Sequence, residues 1–381
     1  MFYSNSVPPT ERKVSSYMKN FSDECVGRGV SRFLMILCVL ALSALASNAA
    51  RAQSSAQDEM TAGPTSADHA AAANSKVVYR HARPANTPAG RTLTRKEIAA
   101  AAATASAAEV EGGSGDTDDQ LRFPGDVSYL GGPVVQVAAS HAIFLLPNGH
   151  CSVISTCWGN PEGFLRDLEV SEFIHLTDQY TGTSANNRYT VGKHAMISYK
   201  PGSAPLTDAD VQAFVHKVAS TMGVGYRNIY HVFLPPGQDQ CIDSSHCYSP
   251  DVNETFFYCG YHGSVDFSDI GHVLYTVEPF QNVDGCSVRP GTSNGQLIDS
   301  TDNTLSHETF ETITDPDGNA WFNLKTLALQ GAEIGDECSF VKINFTTGAA
   351  FFDPSIFIIG VHRYGVQPEY TNAEHACASN P

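Results

Sequence analysis

His307, Glu308 and Glu311 lie close together in Ser306-His307-Glu308-Thr309-Phe310-Glu311. On a helix, His307 and Glu311 are i and i+4, so both side chains leave one face and their heads can share a metal ion. Glu308 is the next residue round and can reach a water on that ion. Two ligands and a carboxylate base make up the HExxH zinc helix, here with Glu311 in place of the second histidine. The chemistry on offer is attack by an activated water, with Glu308 as the general base. Extra carboxylate charge weakens the metal as a Lewis acid, so its water is less acidic than at a three-histidine site. Zinc is the expected ion. Calcium, or no ion, is the alternative, because a carboxylate-rich set also suits harder cations.

The third ligand is expected in Glu333-Ile334-Gly335-Asp336-Glu337-Cys338, some 22 residues beyond Glu311. A His/Glu zinc enzyme of the thermolysin type places its third protein ligand there. Glu333 is the expected ligand. Asp336 would accept a hydrogen bond from the free ring nitrogen of His307 and fix its tautomer. The two acids can exchange these roles, and the bland alternative is a calcium site or an acidic turn. His262, in a cysteine-flanked loop, is expected to hydrogen-bond within that loop rather than bind metal. His141, His175, His216 and His231 fall in expected strands or helices and read as structural. Ser264 near His262 lacks the G-x-S-x-G elbow of a serine nucleophile.

The helix carrying the motif is expected over 302–314, stopped by Asp315-Pro316. Thr207-x-x-Asp210 resembles a capping box, with Val211, Phe214, Val215, Val218 and Met222 repeating at three and four behind it. Helical spacing also runs through 161–180. Strands are expected at 134–146, 228–234, 272–277, 341–345 and 351–361. This mixed order predicts an α+β fold, a twisted mixed β-sheet packed against helices that include the metal-site helix.

The N-terminus reads differently. Phe33–Leu42 is an apolar run between upstream basic residues and Ala50-Arg51-Ala52. That is the order of a secretory signal peptide, so 1–52 is expected to leave by cleavage after Ala52. A membrane anchor is the alternative, but the run is shorter than the roughly 20 residues that span a bilayer. No stable membrane insertion is expected after cleavage. Residues 53–127 are rich in Ala, Ser, Thr, Asp and Gly and read as a low-complexity linker or pro-segment. The single globular domain is 128–381.

Cys25 and Cys38 fall within the signal, leaving Cys151, Cys157, Cys241, Cys247, Cys259, Cys286, Cys338 and Cys377. An even number in an exported chain reads as a disulfide framework, and the absence of any CxxC pair argues against a cysteine zinc site. Cys151–Cys157 closes a short loop. Cys338–Cys377 would tie the acidic cluster to the C-terminal tail. A net charge of −17 offers no basic surface for nucleic acid. Asn253-Glu254-Thr255 and Asn344-Phe345-Thr346 match the glycosylation acceptor pattern.

Longer motifs carry a resemblance. They are Ser306-His307-Glu308-x-x-Glu311, Thr314-Asp315-Pro316-x-Gly318-Asn319-Ala320-Trp321 and Glu333-Ile334-Gly335-Asp336-x-Cys338, with Gly131-Gly132-Pro133-Val134, Cys259-Gly260-x-His262-Gly263-Ser264 and Val366-Gln367-x-Glu369-Tyr370-x-Asn372. Over 128–378 the chain resembles the secreted EXORDIUM (phosphate-induced protein) family and its bacterial relatives. The resemblance implies export, to the extracellular space or periplasm, and a zincin-like metal-site fold. The expected function is a metal-dependent hydrolase of the metallopeptidase type, acting on extracellular protein or peptide. Its rival is a non-catalytic extracellular protein in which the acidic cluster is structural.

Overall fold

The structure is a computed structural model that describes residues 60–77, 126–147, 150–252, 254–324, 333–339, 341–343 and 350–381. The expected signal peptide, most of the expected linker and the two asparagines of the acceptor pattern lie outside these residues.

Alternation along Ala138–Pro147 (β3) sets up the fold. Ala142, Phe144 and Leu146 join one buried cluster, while Ile143 and Leu145 join another. A strand sends successive side chains to opposite faces, so a strand apolar at every position from 142 to 146 must be covered on both sides there. Its neighbours are Tyr189–Val191 (β4), Ala195–Tyr199 (β5) and Asn228–Phe233 (β6), all parallel to it. Gly271–Glu278 (β8) continues the parallel run beside β6, and Tyr261–Phe267 (β7) pairs antiparallel with β8. The sheet is therefore mixed, with helices against it, as expected from sequence.

One face is covered by Asp208–Met222 (α3), through Val211, Phe214, Val215 and Val218. Its capping box forms as expected: Asp210 N donates to Thr207 Oγ1 at 3.1 Å and Thr207 N donates to Asp210 Oδ2 at 2.8 Å. The other face receives Pro161–Glu169 (α2) through Phe164, Leu165 and Leu168, and Gln296–Thr314 (α4) through Leu305, Phe310 and Ile313.

Several boundaries differ from the sequence reading. Helix α4 begins at Gln296 rather than 302, after Gly295 at φ 93°, because its first two turns carry no amphipathic signal. The helical spacing over 161–180 resolves into α2, a 3-10 turn at Phe173–Thr177 and a short helix at Asp178–Thr181. The strand expected at 351–361 is broken at Asp353-Pro354 into Ala350–Phe352 and Ser355–Ile359; proline cannot donate to a ladder.

Part of the expected linker is ordered. Met60–Ala62 (β1) pairs with β5 and Lys76–Val77 (β2) pairs with β7. Between them Ser66–Ala73 (α1) is capped by Thr65 and packs against α3. Asp68 in α1 meets His216 Nδ1 at 2.8 Å, and His216 Nε2 meets Asp269 at 2.9 Å. Low apolar content did not prevent folding here, because the segment borrows an existing sheet and helix.

All eight cysteines pair: Cys151–Cys157, Cys241–Cys247, Cys259–Cys286 and Cys338–Cys377. Both pairings expected from sequence form. Among the described residues, no helix is long and apolar enough to cross a membrane.

Candidate metal centre

Helix α4 is polar for most of its length and buried for nearly all of it. A helix polar all round ordinarily faces water. This one is instead walled by chain segments whose backbone groups it satisfies. Asp299 accepts from the amides of Asn294 (2.9 Å) and Gly365 (3.1 Å), Ser300 from Val288 N (2.9 Å) and Asn303 from Gln367 N (2.7 Å). Thr309, Thr312 and Thr314 return their hydroxyls to carbonyls one turn back. The wall lets the next turn present His307, Glu308 and Glu311 to a dry interior, each with 0% exposure.

His307 and Glu311 share a face, as the spacing requires, with Nε2 and Oε1 3.1 Å apart. The His307 ring is oriented from behind by Gln367, whose Oε1 lies 3.2 Å from Nδ1. Gln367 is itself fixed, donating from Nε2 to Gly335 O at 2.7 Å. A proton on Nδ1 satisfies that contact and leaves Nε2 as the coordinating nitrogen. Asp336 does not take the role expected of it. Its Oδ1 stands 3.8 Å from Nε2, on the coordinating side of the ring. The backbone amide of Asp336 donates to Glu311 Oε1 at 3.0 Å, so the acidic turn is anchored on α4.

Glu333 lies elsewhere in the centre. Its Oε2 is 3.3 Å from Nε2 of His262, and the same nitrogen is 3.7 Å from Glu311 Oε2. Two triplets result, His307–Glu311–Asp336 and His262–Glu311–Glu333, each with one donor atom per residue within 4.8 Å of the others. The expected trio of His307, Glu311 and Glu333 is thus divided between them, and His262 joins the set. Its signal in the sequence was Cys259-Gly260-x-His262: Cys259–Cys286 pins the start of β7, which carries His262 toward α4.

Glu308 reaches toward Gly260. A Cβ on Gly260 would stand 2.9 Å from its Oε1. Neither carboxylate oxygen has a hydrogen-bond partner among the described residues, and the same holds for Glu369. Burial pushes the Glu308 carboxyl well above the ordinary carboxylate range, and although the His307 charge pulls it back, Glu311, Glu278 and Asp336 push it further up. Burial likewise raises Glu278 to about 8, against the pull of its Thr276 hydrogen bond and His307. His307 moves the other way. Burial disfavours its charge, but Glu311, Glu308 and Asp336 hold its pKa well above the usual histidine value. The interior therefore carries more carboxylates than cations to meet them. Unpaired buried carboxylates are costly, and a bound divalent cation offsets that cost, so the donor set fits a metal ion.

The remaining histidines have other partners. His141 is held by Lys193 O (2.8 Å) and Asn228 Oδ1 (3.2 Å), and His175 by Asp178 (2.9 Å). His231 lies 2.9 Å from Thr276 Oγ1, and burial, with His141 nearby, lowers its pKa to about 3. Two surface cavities of about 580 and 590 Å³ are lined by no residue of the centre. Compared with known proteins, the chain matches no family model and no curated protein.

Proposed function

We propose that this chain is an exported, metal-dependent hydrolase of the metallopeptidase type, acting on extracellular protein or peptide. The observation that carries the reading is Glu308, a fully buried carboxylate without a hydrogen-bond partner among the described residues, one position along the helix from His307. His307 and Glu311 would hold the metal, completed by Asp336, while Glu311 also stands in a second group with His262 and Glu333. When bound, zinc supplies Lewis acidity toward a carbonyl and a more acidic water. Glu308 would act as the general base, taking a proton from the attacking water and returning it to the leaving amine. Gln367 keeps His307 in the coordinating tautomer. Export is supported by the apolar run at 33–42 and by four disulfides, which persist in oxidising compartments.

A second reading rests on one observation. His262, Glu333 and Asp336 are as inaccessible as the helix residues, at 0–1% exposure, whereas a catalytic site keeps an open position. On this reading the centre is structural and the protein a non-catalytic extracellular one. The purified, metal-loaded protein should cleave members of a broad peptide library, and a chelator should stop it. A folded, metal-loaded sample that cleaves nothing would leave the structural reading standing.

A further inference from the structure

The centre has an asymmetry that one ion does not explain. Glu311 turns its two oxygens to different histidines: Oε1 is 3.1 Å from His307 Nε2, and Oε2 is 3.7 Å from His262 Nε2. Glu311 belongs to two separate triplets, with Asp336 beside His307 in one and Glu333 beside His262 in the other. Ligands to one ion at roughly 2.0–2.4 Å stand no more than about 4.8 Å from one another, and each triplet meets that limit by itself. We propose that the centre binds two divalent cations bridged by Glu311, one held with His307 and Asp336 and the other with His262 and Glu333.

Two further features agree. Glu308 and Glu369 are fully buried and neither has a hydrogen-bond partner among the described residues. Both are electrostatically coupled to His307, Glu311 and Asp336, so they face the same interior as the triplets. Together with Glu311, Glu333, Asp336 and Glu278, which also acts on Glu308 and His307, they place six buried carboxylates with two imidazoles. One divalent ion would match two of those negative charges; two would match four. Paired ions bridged by a carboxylate stand about 3.5–4 Å apart in two-metal hydrolases, where they hold the attacking and leaving oxygens together. His262 then has a role that a single zinc on the α4 motif leaves unexplained.

This inference rests on the reading that the centre binds metal, and stoichiometry separates the two. The exported protein, stripped with chelator and titrated calorimetrically with Zn²⁺ alone, should take up two ions per chain, with metal analysis after dialysis agreeing. His262→Ala and His307→Ala should each retain one ion, and Glu311→Ala should lose the tight binding of both. Glu333→Gln and Asp336→Asn, which preserve side-chain shape, replace the histidine variants if those do not fold. One ion in the wild type would overturn the bridged pair and leave a mononuclear centre. No ion in folded wild type would overturn the metal reading itself.

Discussion

Gly335 packs against His307 so closely that a Cβ at 335 would stand 2.8 Å from Nδ1 and 2.9 Å from Glu311 Oε1. The acidic turn can approach α4 only because this position has no side chain. Gly335→Ala should tilt the ring away from Gln367 and displace a coordinating oxygen, weakening Zn²⁺ binding by about 10–100-fold, as loss of a ligand's supporting contact does. Gly260→Ala crowds Glu308 and Thr304 instead. It should leave Zn²⁺ affinity near wild type while costing about 1–3 kcal/mol of stability by overpacking. Calorimetric titration and chemical denaturation of the two variants check the contrast.

Glu308→Gln keeps the shape of the side chain and removes its basicity. Metal content should stay near wild type while peptide hydrolysis falls roughly 10²–10⁴-fold, the usual worth of a positioned base. Metal analysis beside a peptidase assay reads both. Equal activity in variant and wild type would remove Glu308 from the reaction.

The stability of the metal-free protein should fall with rising pH. Glu278 has a folded pKa of about 8 against an ordinary value of 4.5. Between these values the unfolded chain has lost its proton and the folded one still holds it, so ionisation favours unfolding. Glu308, Glu369, Asp302 and His307 are all shifted upward too and act in the same direction. The lowered carboxyls, Asp68, Asp243, Asp269 and Asp317, lose their contribution only below about pH 4, and His231, lowered to about 3 by burial, opposes the trend below about pH 6.5 without outweighing the several raised carboxyls. The unfolding free energy of chelated protein, read from denaturant melts, should therefore drop between about pH 4.5 and 8, by an amount on the order of a few kcal/mol. Saturating Zn²⁺ should reverse the trend, since its ligands must be deprotonated to bind. A flat profile without metal would count against the buried carboxylates being ionisable at all.

Cys338–Cys377 joins the end of the acidic turn to the C-terminal hairpin. Replacing both cysteines by serine should cost about 2–5 kcal/mol, as loss of a native disulfide does. Because Asp336 lies in the turn that Cys338 closes, Zn²⁺ affinity should fall as well. The Cys241→Ser/Cys247→Ser pair, remote from the centre, should lower stability without moving affinity.

The parts of this molecule legible in its sequence are those governed by local rules. The Thr207 box, the Asp315-Pro316 stop and the i, i+4 pair of His307 and Glu311 all depend on neighbours within one turn, and all form. Two of the four disulfides were legible because each makes local or topological sense. The division of the donor set was not. Whether Glu333 meets His307 or His262 depends on where β7 places a histidine from 71 residues away in sequence, and spacing carries no such information. The first turns of α4 were missed for a related reason: their polar side chains serve the surrounding backbone, so no apolar stripe announces them.

The segment 60–77 has a consequence for the edges of the main sheet. Among the described residues it supplies both outermost strands of the main sheet, β1 at one margin and β2 at the other. Each is only a few residues long, yet each occupies a row of backbone groups that would otherwise be open to another chain. A cut ahead of Met60 would leave this double guard in place. A cut beyond Val77 that let the segment dissociate would uncover β5 and β7 together, leaving a unit with two adhesive ends. Such a unit can add neighbours in both directions, so the shortened protein should assemble into open-ended chains rather than stop at a dimer. Light scattering before and after such a cut would show it.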